Sequence, residues 1–134
     1  MCAFSPYDIP NAYVVADDIV VNKPKVMAYR APGAPAAEFA VESVIDELAR
    51  QLDVDPIALR LQNAAKEGTQ THFGPKLGPI GYIETLEGAR SHDHMKTKLG
   101  PNQGRGIATG FWFTLGLGLF GPFFASIQHM PRAG

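Results

Sequence analysis

Tyr29-Arg30-Ala31-Pro32-Gly33-Ala34-Pro35, together with the run it opens from Pro35 to Leu52, decides how this chain folds. Beyond Pro35, the apolar positions Val41, Val44, Ile45, Leu48 and Leu52 recur at three- and four-residue intervals, while Glu38, Glu42, Asp46, Glu47 and Arg50 fall on other faces. That period predicts an amphipathic helix. Pro35 suits a first helical turn, Gly33 tolerates backbone angles other residues avoid, and Arg30 carries a planar cation. The unpaired N–H groups of a helix start attract phosphate or oxyanions, so the seven residues read as an anion-facing loop. The plainer reading is that Gly and Pro simply turn the chain into the helix.

Outward from this point, Asp55-Pro56 is an N-cap followed by Pro at the first helical position, which predicts a second helix to about Lys66 with Gly68 placed to end it. Residues 69 to 81 read as a loop, Tyr82 to Ala89 as a third short helix with Ile83, Leu86 and Ala89 on one stripe, and His92 to Gln103 as polar loop again. Arg105 to Phe113 reads as a strand. Upstream, the β-branched clusters in residues 12 to 21 predict strand, turn at Asp17-Asp18, and strand, with Val26 to Tyr29 a short extended run. The expected fold is α+β, with short strands packed on two to three helices through Val41, Ile45, Leu48 and Leu61. Glu38 and Glu42 are expected on a solvated face, and Asp46 and Arg50 as an exposed pair.

Composition bounds the rest. A chain of 134 residues, 46% hydrophobic and 19% charged, is one globular domain or a piece of one. Twelve basic against thirteen acidic residues give a net charge of -1, and with no basic run nucleic acid is not an expected partner. The single cysteine, Cys2, excludes an internal disulfide, the usual thiolate zinc site and an iron–sulfur cluster held by this chain alone. The N-terminus does not read as a secretory signal, so the expected compartment is the cytoplasm. Ile107 to Ile127 carries no charged residue and is long enough to cross a bilayer, but Gly110, Gly116, Gly118, Gly121 and Pro122 argue against a continuous helix.

Several constellations carry no chemistry on inspection. His92-Asp93-His94, with His72 and His129 elsewhere, fixes no third metal ligand by spacing, so no metal site is assigned. Cys2 has no recognisable base and reads as an inert thiol. Gly116-Leu117-Gly118 lacks the third Gly of a dinucleotide loop.

The string Ala28 to Pro35, followed by Glu42, Ile45-Asp46-Glu47-Leu48-Ala49, Asp55-Pro56 and Leu59-Arg60-Leu61-Gln62-Asn63, resembles the molybdopterin-binding large subunit of the xanthine dehydrogenase and aldehyde oxidase family. Tyr7-Asp8-Ile9-Pro10-Asn11 and Gly104-Arg105-Gly106-Ile107-Ala108, with Gly110 and Trp112, resemble it too. The resemblance covers residues 5 to 113 and only an internal slice of a much longer subunit. It implies a partial molybdopterin-binding fold, with residues 1–103 in a first cofactor-binding domain and 104–134 opening a second. The implied activity is a molybdenum hydroxylase oxidising aldehydes or heteroaromatic compounds with water as oxygen source. The implied cofactor is molybdenum-molybdopterin in its cytosine dinucleotide form, served by partner subunits or domains carrying iron–sulfur clusters and FAD.

On the matching positions, the resemblance implies that Tyr29, Arg30, Ala31 and Gly33 bind the cofactor and that Pro32 faces the substrate. Some relatives hold an aromatic residue at the position of Pro32, so ring stacking and a purine substrate are not expected. Ala31 stands where the carbon monoxide dehydrogenase branch has a copper-binding Cys, so copper is not expected either. No catalytic residue is assigned, because the family's Glu base lies in a motif this chain does not contain. The slice alone is expected to be inactive, and the apolar tail after Phe113 departs from the family in the manner of a truncation or altered reading frame. The alternative reading is a non-enzymatic interaction module, membrane-associated through residues 107 to 127.

Overall fold

The computed structural model describes residues 2–24, 27, 29 and 31–112, and the backbone of Phe124–Ile127. Arg30 and most of the apolar stretch 107–127 lie outside the described residues. A 3-10 turn at Cys2–Phe4 comes first, followed by helices α1 (Ala34–Gln51), α2 (Pro56–Gln62), α3 (Tyr82–Ser91) and α4 (Asp93–Lys96). Strands β1 (Thr109–Trp112) and β2 (Phe124–Ile127) pair antiparallel, with Thr109 opposite Ile127 and Trp112 opposite Phe124. Helices dominate, and this hairpin is the sheet found among the described residues.

The helix starts follow the sequence closely. Asp55 caps α2 by accepting from the Ala58 N–H at 2.8 Å, and Pro56 follows at the first helical position. The second helix ends at Gln62, short of Lys66, because Asn63 leaves helical geometry and folds its amide back to Leu59 O at 2.8 Å. The chain then bonds to the N-terminal segment: Asp8 N–H donates to Asn63 O at 2.8 Å and Ala65 N–H to Pro6 O at 2.9 Å. This pairing ties Tyr7-Asp8 to the end of α2. His92 to Gln103 is not loop throughout, since His92 Nδ1 accepts from His94 N–H at 3.1 Å and starts the single turn of α4.

Two expectations fail. Residues 12–21 form no strand; none of the described strands pairs with the segment, and it lies in solvent, with Val20 96% and Tyr13 88% exposed. And α1 is turned on its axis relative to its apolar stripe. Val44, Leu48 and Leu52 are exposed, whereas Ala34, Glu42 and Ala49 are buried. Small alanines on the inward face let neighbouring backbone approach, and the charge of Glu42 is matched from outside the helix.

The core falls into two clusters. Cys2, Ala34, Ala65, Leu77 and Phe111 form one, with Ala31 and Ile80 packed against it. Ile57, Ala64, Tyr82 and Leu86 form the other, with Leu61, Met95 and Ile107 at its margin. Of the four residues expected to pack inward, Leu61 reaches this second margin, Val41 and Ile45 are half-buried, and Leu48 points out. No helix among the described residues is long and apolar enough to cross a membrane.

Candidate functional site

The turn ahead of α1 is the first element of the site. Ala31 has φ 60° and Gly33 φ 73°, so two left-handed residues flank the exposed Pro32. Left-handed geometry is unremarkable for Gly but costs roughly 1–3 kcal/mol for a residue with a Cβ, and such outliers cluster at ligand-holding turns. Gly33 is the N-cap of α1 and offers no side chain to it, and the first turn of the helix holds no acidic residue. The positive end of the helix dipole is therefore uncompensated by any side chain of its own cap or first turn. Tyr29 is exposed and Ala31 leans on the apolar cluster, so the turn is anchored at one end and open at the other.

Between α1, α2 and the start of β1 lies a buried polar hub that the sequence reading did not foresee. Arg60 of α2 is fully buried, and its Nε donates to Glu42 Oε2 at 2.9 Å. Its Nη1 donates to Pro56 O and its Nη2 to Ile107 O, each at 3.1 Å, and Nη2 also lies 2.8 Å from Asp46 Oδ1. Asp46 thus pairs with Arg60 instead of the expected Arg50. Glu42 is buried, not solvated: Tyr7 OH donates to its Oε1, and Thr109 N–H donates to its Oε2 at 2.7 Å. Tyr82 OH adds a bond to Thr109 Oγ1 at 3.1 Å. Glu38, one turn earlier on α1, accepts from Phe111 N–H at 2.7 Å.

The electrostatics follow from this geometry. Burial alone would lower the Arg60 pKa, but Glu42, Tyr7 and Asp46 outweigh it and hold the guanidinium above its ordinary value. Burial, with the neighbouring Tyr82 and Glu42, raises the Tyr7 phenol, and burial pushes Tyr82 up to about 12. The Glu38 carboxyl is raised chiefly by burial, against the opposing bond from Phe111 N–H. Burial and the nearby Glu38 charge raise the Cys2 thiol, which favours its protonated form.

One signal could have revealed the hub. Arg60 is a lone cation inside Pro56-Ile57-Ala58-Leu59-Arg60-Leu61, a helix too apolar for all of its faces to meet water. A buried cation requires a carboxylate, and Glu42 and Asp46 sit four apart on the neighbouring helix.

Other candidate features fall elsewhere. Among the described residues no group of three or more His, Cys, Asp or Glu is placed to hold a metal. His72 sits edge-on between Phe4 and Phe73, at centroid distances of 5.8 and 5.3 Å. An open cleft of about 420 Å³ runs between residues 8–13 and Gln70-Thr71-His72, and the described residues Tyr29, Ala31, Pro32 and Gly33 are not among those lining it.

Comparison with known proteins agrees with the resemblance. Residues 1–64 match the molybdopterin cofactor-binding domain family. The chain is similar to the nicotinate dehydrogenase large molybdopterin subunit of Eubacterium barkeri, 40% identical over 86 residues, which cover 63% of this chain and 20% of that protein. It is 41% identical over 70 residues to the xanthine dehydrogenase molybdenum-binding subunit of Escherichia coli O157:H7, covering 52% of this chain and 9% of that one. It is 37% identical over 68 residues to the aldehyde oxidoreductase of Megalodesulfovibrio gigas, covering 51% and 8%. The chain therefore spans a fifth or less of the length of these relatives. Over residues 1–64 the chain matches the molybdopterin cofactor-binding domain, and beyond that it is similar to a stretch of the molybdopterin-binding subunits of the xanthine dehydrogenase and aldehyde oxidase family.

Proposed function

We propose that this chain supplies part of the molybdenum-cofactor pocket of a hydroxylase that oxidises an aldehyde or a heteroaromatic compound, acting within a longer subunit. The observation that carries this reading is the paired left-handed turn Ala31–Gly33, feeding a helix whose start has neither a side-chain cap nor an acidic first turn. Such a start suits the anionic pterin phosphate, with the Arg30 guanidinium as a second donor. Tyr29, Arg30, Ala31 and Gly33 are the residues assigned to the cofactor, and Pro32 to the substrate side. Pro32 has no ring π-face, which favours a small aldehyde or lightly stacked heterocycle over a purine.

The bound molybdenum group supplies the oxidising centre. This chain's residues bind and orient it, and none is assigned as the proton acceptor. The α+β architecture extends over a first domain at 1–103 and the opening of a second at 104–134. The cofactor is taken to be the cytosine dinucleotide form, and electrons pass to iron–sulfur and FAD-carrying partners, since one buried thiol cannot ligate a cluster. The working compartment is the cytoplasm.

The test is the substitution Arg30→Ala, made at the matching position of a complete relative. Reduced molybdenum content or turnover supports the assignment. Unchanged content and rate remove Arg30 from the pocket.

A further inference from the structure

Glu38 and Glu42 stand four apart on α1, and the two backbone N–H groups they accept, from Phe111 and Thr109, stand two apart on β1, each at 2.7 Å. The match is metric. Four residues of α-helix rise about 6 Å and two residues of strand about 6.7 Å, so consecutive carboxylates on one helix face meet alternate amides of an adjacent strand. In the antiparallel pairing of β1 with β2, alternate residues turn their N–H groups toward the partner and away from it. Thr109 and Phe111 give theirs to the two carboxylates on α1, which places these groups on the side of β1 away from β2.

We propose that Glu38 and Glu42 form a two-rung acceptor ladder that takes the place of a neighbouring strand along the free edge of β1, with Glu38 as the positioning residue for the turn at Ala31–Gly33. The link from edge to turn is direct. Phe111, whose N–H Glu38 holds, is buried in the cluster that contains Ala34 and supports Ala31. Glu42 has further duties toward Arg60 and Tyr7, whereas among the described residues Glu38 hydrogen-bonds to Phe111 N–H alone. Glu38 is thus the member of the pair whose removal isolates the ladder. The consequence for cofactor binding rests on the function proposed above; the ladder itself does not.

Amide hydrogen exchange on the isotope-labelled chain, with Glu38→Ala and Glu38→Gln compared to the parent, tests the ladder without any cofactor. Removing the acceptor in Glu38→Ala should speed exchange at Phe111 about tenfold, the effect of losing one hydrogen bond of ordinary net strength, while amides of α2 and α3 keep their rates. The amide oxygen in Glu38→Gln should restore Phe111 to within about threefold of the parent, since an acceptor is again in place. Unchanged exchange at Phe111 in Glu38→Ala overturns the proposal. So does an acceleration shared equally by α2 and α3, or a Gln variant that exchanges at Phe111 as fast as the Ala variant. Should the Ala variant not fold, the Gln variant decides by whether Phe111 stays protected. A ladder upheld here beside a failed Arg30 test would leave the ladder intact and the cofactor reading wrong; the reverse outcome would do the opposite.

Discussion

Tyr13, Val14, Val15, Ile19, Val20 and Val21 stand in solvent, while Glu42 and Arg60, each able to carry a full charge, are closed in where α1, α2 and the start of β1 meet. The difference is one of partners. A β-branched segment gains little from its own residues until another strand or sheet face meets it. The guanidinium of Arg60 finds Glu42, Asp46, Pro56 O and Ile107 O within the described chain. Burial here follows where hydrogen bonds and counter-charges can be completed, and apolar content alone does not predict it.

The largest effect should come from breaking the hub. Arg60→Ala leaves the Glu42 charge buried without its guanidinium and should lower unfolding free energy by roughly 3–5 kcal/mol, while Glu42→Ala, which leaves Asp46 beside Arg60, should cost less. Denaturant titration measures it. A loss below about 1 kcal/mol, the range of exposed ion pairs, would mean the hub is open to water.

Next comes alkaline pH. Below about pH 10 the Tyr82 phenol is protonated whether the chain is folded or not, and it contributes no pH dependence. Above that value the unfolded chain loses the proton while the folded phenol, pushed up to about 12, retains it. The folded state then binds more protons, so stability falls as pH rises through this window, and the raised Tyr7 phenol acts in the same direction. Titrations at about pH 9 and about pH 11.5 should show the fall, and Tyr82→Phe should flatten part of it. Equal stability at both values would contradict the burial of these phenols.

The smallest effect belongs to the other region. Val20 is 96% exposed, so Val20→Thr should change stability by less than about 0.5 kcal/mol. A loss above about 1 kcal/mol would show that residues 12–21 are covered in solution and would dissolve the contrast.

Much of the helical frame was legible in the sequence because caps and prolines act locally: Asp55-Pro56 opens α2 as read, and α1 and α3 begin within a residue of their expected starts. The orientation of α1 was not legible. Its apolar stripe is regular, but the side that packs is chosen by Arg60, 18 residues beyond Glu42, and by Thr109, 67 residues beyond it. Long-range partners of this kind leave no periodic trace. The resemblance had already gathered Glu42, Arg60 and the Tyr7 motif, yet as ordered matches, without indicating that their side chains meet. The turn was read correctly at Gly33, while the left-handed Ala31 carried no sequence warning, since Ala rarely adopts that geometry.

The most direct test of the cofactor reading is molybdenum content per polypeptide in the xanthine dehydrogenase molybdenum-binding subunit of Escherichia coli O157:H7, after the segment corresponding to residues 5–113 is replaced by that of this chain. The account predicts that the graft retains molybdenum and that Arg30→Ala within it lowers the content severalfold. A folded graft that loads no molybdenum, or one that loads it equally with Ala at position 30, would contradict the account.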